Sequence, residues 1–148
     1  MIRFALVSLS AFAALSGAML LSSAHGDPAR AGVAGEWTGK YICTQGVTAL
    51  RLSVAQGAGN AITATFNFGP LPENPAVPKG AYQMSGTYDP SLHRVLLRGV
   101  KWIDAPDGYV MVGLDGRLTQ SGDKISGFVP DLLGCAEFEV RRPAQLIG

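Results

Sequence analysis

Few side chains in this sequence are of a type that does chemistry. His25 and His93 are its two histidines, and neither accompanies a nucleophile elbow or completes a Ser/His/Asp set. Asp104 and Asp107 share the segment IDAPDGY, and paired carboxylates can divide the acid and base work of glycoside hydrolysis. With 11 acidic residues in the chain, accidental pairs abound, and this spacing by itself names no reaction. Cleavage after Ala24 would leave His25 at a mature N-terminus, where its amine and imidazole could chelate copper alongside His93. Such a site needs a rigid terminus, and the glycines and alanines up to Gly35 argue against one. A phosphate-cradling glycine loop followed by lysine is absent, as is a His, Cys and acid cluster at metal spacing. The residues therefore predict a protein that is not an enzyme and uses no cofactor or metal.

Cys43 and Cys135 are the only cysteines, and what they do depends on the compartment. The chain opens with one early cation, Arg3, an apolar run from Phe4 to Leu21, and then small residues. That layout is a secretory signal peptide over residues 1–24, cleaved after Ala24 or Gly26. An uncleaved anchor is the competing reading, because the run just reaches the length of a membrane span. Ser8, Ser10, Ser16 and Gly17 dilute it and no cation cluster holds either end, which favours cleavage and no span in the mature chain. Export places the cysteines in an oxidising compartment, where an isolated pair forms a disulfide. Closing most of the mature chain into one loop is worth on the order of 4 kcal/mol.

The chain carries 12 Lys plus Arg against 11 Asp plus Glu, and loss of Arg3 brings it near neutrality. Charges of both signs are interspersed, so nothing steers the protein to nucleic acid or to an anionic membrane. The expected organisation is a flexible leader over 25–34, one β domain over 35–142 and a tail over 143–148.

The elements that must position these residues are strands. Apolar and polar residues alternate over short runs separated by Gly, Pro, Asn and Asp. Trp37, Tyr41 and Cys43 share a face in GEWTGKYIC, Leu50, Leu52 and Val54 in TALRLSVA, and Ile62, Ala64, Phe66 and Phe68 in ITATFNF. Further strands are expected in AYQMSGTY, in RVLLRGV at 94–100, in YVMVGLDGRLT from Tyr109, in KISGFV, and in CAEFEVRR from Cys135. Eight strands with mostly short connections predict a sequential antiparallel meander. Two features favour closure into a small barrel over a flattened β-sandwich. The cysteines lie on the first and last strands, and Gly39, Gly86, Gly113 and Gly127 interrupt strand patterns where a coiled sheet bends. The many large inward residues predict a filled interior.

Two long connections remain. Pro70, Pro72, Pro75 and Pro78 stiffen the first, since proline fixes φ and restricts its predecessor. Lys101–Gly108 forms the second. If both reach one barrel end, Trp102 and Tyr109 become flat apolar anchors and Glu73, Asn74, Asp104 and Asp107 become orienting polar groups. The plainer expectation is that the aromatics plug the barrel end and the prolines only lower the entropy of the unfolded chain.

The stretch WTGKYICTQGVTAL at 37–50, the F-x-F at 66–68, NPAVP at 74–78, WIDAPDGYV at 102–110 and the late CAEFEVRR resemble an uncharacterised bacterial extracytoplasmic β-domain. That domain occurs alone behind signal peptides and attached to larger proteins. The resemblance implies a secreted or periplasmic module and transfers no catalytic residue. The phrase YICTQG is also similar to the opening of membrane-bound-type lysozyme inhibitors, small periplasmic barrels with a disulfide, and the similarity ends there. The expected role is thus binding of an extracytoplasmic protein, glycan or small ligand, with inhibition of an extracytoplasmic hydrolase as the alternative.

Overall fold

The structure is a computed structural model that describes residues 32–144. The expected signal peptide, His25 and most of the expected leader lie outside the described residues, as does the expected C-terminal tail beyond Ala144.

The described residues form eight strands: β1 Gly35–Cys43, β2 Gly46–Gln56, β3 Ala61–Gly69, β4 Gly80–Asp89, β5 Arg94–Asp104, β6 Leu114–Leu118, β7 Lys124–Phe128 and β8 Glu137–Arg141. Each pairs antiparallel with its successor, and β8 returns to β1 from Thr38↔Arg141 to Tyr41↔Phe138, closing the barrel. The open sandwich is excluded by that last ladder. Among the described residues no helix is long and apolar enough to cross a membrane.

Closure follows from the alternation. One face of every strand enters the bore, where Trp37, Leu52, Ile62, Phe66, Tyr82 and Met84 are almost wholly buried. Phe66 stacks on Tyr82 with ring centroids 4.6 Å apart, and Tyr41 meets Phe66 edge-on at 5.2 Å. The interior is filled, as its large side chains require. At Gly39 and Gly86 a Cβ would overlap the carbonyl oxygens of Glu139 and Leu96 on the neighbouring strands. Only glycine permits that close approach, and with it the curvature.

The two ends differ. Short turns, the N-terminal entry and Arg142 close one end. There the Trp37 indole donates to the Val33 carbonyl at 2.8 Å, and the Arg142 guanidinium lies 4.2 Å over the Trp37 ring while donating to the carbonyls of Ala34 and Gly122. Val33 is fully buried, so the last residues of the expected leader belong to the barrel. The β1–β2 turn and the three long connections 70–79, 105–113 and 129–136 gather at the opposite end, the mouth.

Three strand boundaries differ from the sequence expectation, each for a local reason. β5 runs to Asp104, so the second long loop starts at Ala105. Its ladder to β4 passes from Met84↔Gly99 to Gln83↔Lys101, and from Tyr82↔Trp102 to Ala81↔Asp104. Val100 and Ile103 are therefore extra bulge residues, and the first bulge resets the alternation so that Trp102 faces Tyr82. β6 begins at Leu114 rather than Tyr109, because Val112 pairs with a side chain instead of the β5 backbone. β8 begins at Glu137, leaving Cys135 in the preceding loop, where Asp131 (φ 63°) and Gly134 (φ 87°) take left-handed conformations that no strand accommodates. Of the glycines expected to bend strands, Gly113 lies outside one.

Candidate functional site at the barrel mouth

Aromatic packing fixes the second loop. Trp102, at the end of β5, meets Tyr82 edge-on at 5.1 Å and Phe68 at 6.4 Å. Tyr109 stacks on Phe68 at 5.4 Å, nearly parallel. Both are half-buried against the core, so they plug the mouth while keeping one edge in solvent. The buried Tyr82 hydroxyl donates to the Val112 carbonyl and accepts from the Val112 N–H, each at 3.0 Å. A side chain thus replaces the missing β-ladder partner and ties residues 105–113 to the bore. Burial drives the Tyr82 hydroxyl pKa well above its usual value, against the Val112 hydrogen bond.

The proline loop is a strap pinned at both flanks. Asn74 donates through Nδ2 to the carbonyls of Gln45 (2.7 Å) and Val47 (3.0 Å), fastening the loop to the β1–β2 turn. Val77 is buried, and all four prolines stay exposed. Glu73 pairs with Lys40 at 2.8 Å on the outer face of β1, and this contact holds its carboxyl below the ordinary range. Glu73 and Asn74 are thus engaged in holding the loop.

Between the β1–β2 turn and the second loop lies a cleft of about 270 Å³, walled by Tyr109, Val110, Val112 and Leu132, with Tyr41 and Gln45 inside it. Gln45 Nε2 donates to the Tyr41 hydroxyl and to Thr48 Oγ1, both at 3.1 Å, and Thr48 is fully buried. Burial, with the nearby Tyr109, raises the Tyr41 pKa far above that of a free phenol, only partly offset by the bonds to Gln45 and Thr48. Tyr41 therefore stays a neutral donor and acceptor in the cleft. The Cys43–Cys135 disulfide, spanning 92 positions of sequence, fixes the cleft's third side.

Asp104 and Asp107 are exposed at the mouth and, among the described residues, make no ion pair or side-chain hydrogen bond. The structure thus brings Trp102, Tyr109, Asp104 and Asp107 to one rim and assigns Glu73 and Asn74 to the strap beside it. The Tyr41–Gln45–Thr48 cluster escaped the sequence reading. Its only signal was an inward tyrosine and a polar turn residue near the strand end. Among the described residues no group of three or more His, Cys, Asp or Glu is placed to hold a metal ion. His93 sits in the β4–β5 turn, at the end opposite the mouth. Compared with known proteins, the chain matches no protein-family model and no curated protein.

Proposed function

We propose that this is an exported, non-catalytic binding module that recognises its target at the barrel mouth. The observation that carries the reading is the cleft beside Tyr109: apolar walls around a small set of convergent polar groups, on backbone that is already fixed. Pre-formed concavities of that make-up are where proteins bind small ligands or partner side chains. Three independent ties hold the rim before any ligand arrives: the disulfide, the Tyr82–Val112 pair and the Asn74 amide. Ordering costs on binding are correspondingly small. The cleft volume suits a small apolar group bearing one or two hydrogen-bonding atoms, either a free ligand, a glycan edge or a side chain of an extracytoplasmic protein.

The test is a panel titration of the isotopically labelled mature protein with glycan fragments, small apolar ligands and purified envelope proteins, read by NMR. Shifts should concentrate at Tyr41, Gln45, Tyr109 and Val110, and Tyr109→Ala or Gln45→Ala should weaken the binding about tenfold or more. Unchanged affinity in both variants for every ligand found would refute the reading. The exposed, pinned proline strap at the same end favours one second reading, inhibition of an extracytoplasmic hydrolase by a rigid ridge. A stable complex with a lysozyme or a secreted protease that a Pro72→Ser, Pro78→Ser variant weakens would support it.

A further inference from the structure

We propose that the mouth cleft takes a protonated amine, an ammonium group on a short apolar arm, carried by a free small amine or by a lysine side chain of a partner protein. The inference rests on the reading of the mouth as a binding site and adds the polarity and charge of what enters it.

Hydrogen-bond accounting sets the polarity. The Thr48 hydroxyl gives its hydrogen to the Gly46 carbonyl at 3.2 Å, so Thr48 Oγ1 is left to accept. That fixes the Gln45 amide with Nε2 toward it, and the two Nε2 hydrogens go to Thr48 Oγ1 and the Tyr41 oxygen. Tyr41 is bonded to both Gln45 and Thr48; because Gln45 reaches it with a donor, its own hydrogen goes to Thr48. Every donor of the cluster is then used within it. The acceptor left over is Gln45 Oε1, which among the described residues receives no hydrogen bond. Gln45 lies half-buried on the cleft lining, and Asn74 holds its backbone carbonyl at 2.7 Å, so this oxygen is in place before a ligand arrives. The Thr44 and Tyr109 hydroxyls on the same lining have no fixed partner and either donate or accept. A ligand must therefore bring a donor to Gln45.

Charge favours a cationic donor over a neutral one. No residue lining the cleft is charged, so a carboxylate or phosphate would enter without a counter-ion. The two loops that wall it carry exposed carboxylates next to lining residues: Asp107 precedes Gly108, and Asp131 precedes Leu132. Neither makes an ion pair among the described residues, and Asp104 at the end of β5 makes none either. Lys79, Arg98 and Lys101 line no part of the cleft. Arg98 borders the neighbouring outer groove together with Asp131 and forms no ion pair with it. Tyr41 and Tyr109 are both part of the lining, and the face of a phenol ring attracts ammonium. Size agrees as well: a cavity of about 150 Å³ holds benzene. A cleft of about 270 Å³ therefore admits a six-membered ring, or a butyl chain, with its ammonium.

The experiment is an NMR titration of the isotopically labelled, oxidised mature protein, near neutral pH and at low salt. The ligands are benzylammonium, benzyl alcohol and benzoate, which share one ring, and Nα-acetyl-lysine methylamide. Amide shifts at Gln45, Tyr109 and Val110 should saturate with benzylammonium about tenfold more tightly than with benzyl alcohol. Benzoate should leave them unmoved up to about 10 mM. Asp107→Asn with Asp131→Asn changes charge at exposed positions, and asparagine tolerates the left-handed φ of 63° at Asp131. The pair should cut the preference for ammonium about threefold or more while benzyl alcohol binds as before. A tighter fit of the capped lysine identifies a partner's lysine as the source, and a tighter fit of benzylammonium a free amine. Benzyl alcohol or benzoate binding at these residues as tightly as benzylammonium would overturn the amine proposal and leave the binding-module reading standing. So would a preference untouched in the double variant. Silence at these residues with all four ligands also overturns it, and the binding-module reading falls with it only if the wider ligand panel leaves the cleft silent too.

Discussion

Removing one oxygen atom tests how the mouth is held together. Tyr82 is 1 % exposed, and its hydroxyl is the hydrogen-bond partner of both backbone groups of Val112, itself buried. In Tyr82→Phe the ring keeps its stack on Phe66 and its edge contact with Trp102, so packing is preserved. The Val112 N–H and C=O are left without a partner in an apolar setting. An orphaned buried polar group costs about 1–3 kcal/mol. With two such groups and partial relaxation of a loop-borne residue, the expected loss is about 2–4 kcal/mol, well above the roughly 1 kcal/mol net worth of an ordinary hydrogen bond. For a urea m-value of about 1–2 kcal/mol per molar, the unfolding midpoint should fall by about 2 M. Hydrogen exchange supplies the local readout: the Val112 amide should lose protection beyond the global change, while amides of β2 and β3 follow global stability alone. A stability loss under about 1 kcal/mol with Val112 protection unchanged would show that the second loop is held by its aromatic packing, and the account of why β6 starts late would fall with it.

Replacing both cysteines, Cys43→Ala with Cys135→Ala, should cost about 4–5 kcal/mol for a separation of 92 residues, visible as a lower denaturation midpoint. His93 has φ 52° and a buried Nδ1 without a hydrogen-bond partner; His93→Asn, which tolerates the left-handed region, should stabilise by about 0.5–1 kcal/mol in the same assay. Burial raises the folded-state pKa values of Tyr41 and Tyr82 above those of the unfolded chain, so their contribution is complete below about pH 10 and is lost as pH rises further. A 295 nm titration should find these two phenols ionising only as the circular dichroism of the barrel collapses, and early ionisation of all four tyrosines would contradict their burial. In acid the sign reverses. Ser121 and Thr119 hold the Asp123 carboxyl below its usual pKa, so that contribution is present above about pH 4 and lost below it, and Asp123→Asn should flatten the acid limb of the stability curve.

The first half of the barrel was legible because its strands alternate without interruption. From Trp37 to Met84 nearly every inward position is large and apolar, and a period of two then dictates which face enters the core. The second half was less legible. Gly99, Gly116 and Gly127 occupy positions where a large inward side chain would have marked the face, and the bulges at Val100 and Ile103 shift the alternation. The end of β5 was misplaced for that reason, the start of β6 because Val112 bonds the Tyr82 hydroxyl, and the start of β8 because Asp131 and Gly134 are left-handed. The site divides likewise. Trp102, Tyr109, Asp104 and Asp107 share a segment and were grouped together, and the mouth does hold them together. Asn74 looked like a free polar group because its acceptors belong to Gln45 and Val47, 29 and 27 positions away.

Residue order alone settled the all-β class, the single disulfide and the proline loop, since alternation, cysteine count and proline spacing act locally or by elimination, whereas the bounds of the second long loop and the existence of a third, 129–136, came only with the fold. Tertiary structure decided which charges and apolar groups remain unpartnered, because that is known only after closure has matched Lys40 to Glu73, Arg94 to Asp115 and Tyr82 to Val112. A surface available for recognition is what folding leaves over, and no local stretch of sequence carries that remainder.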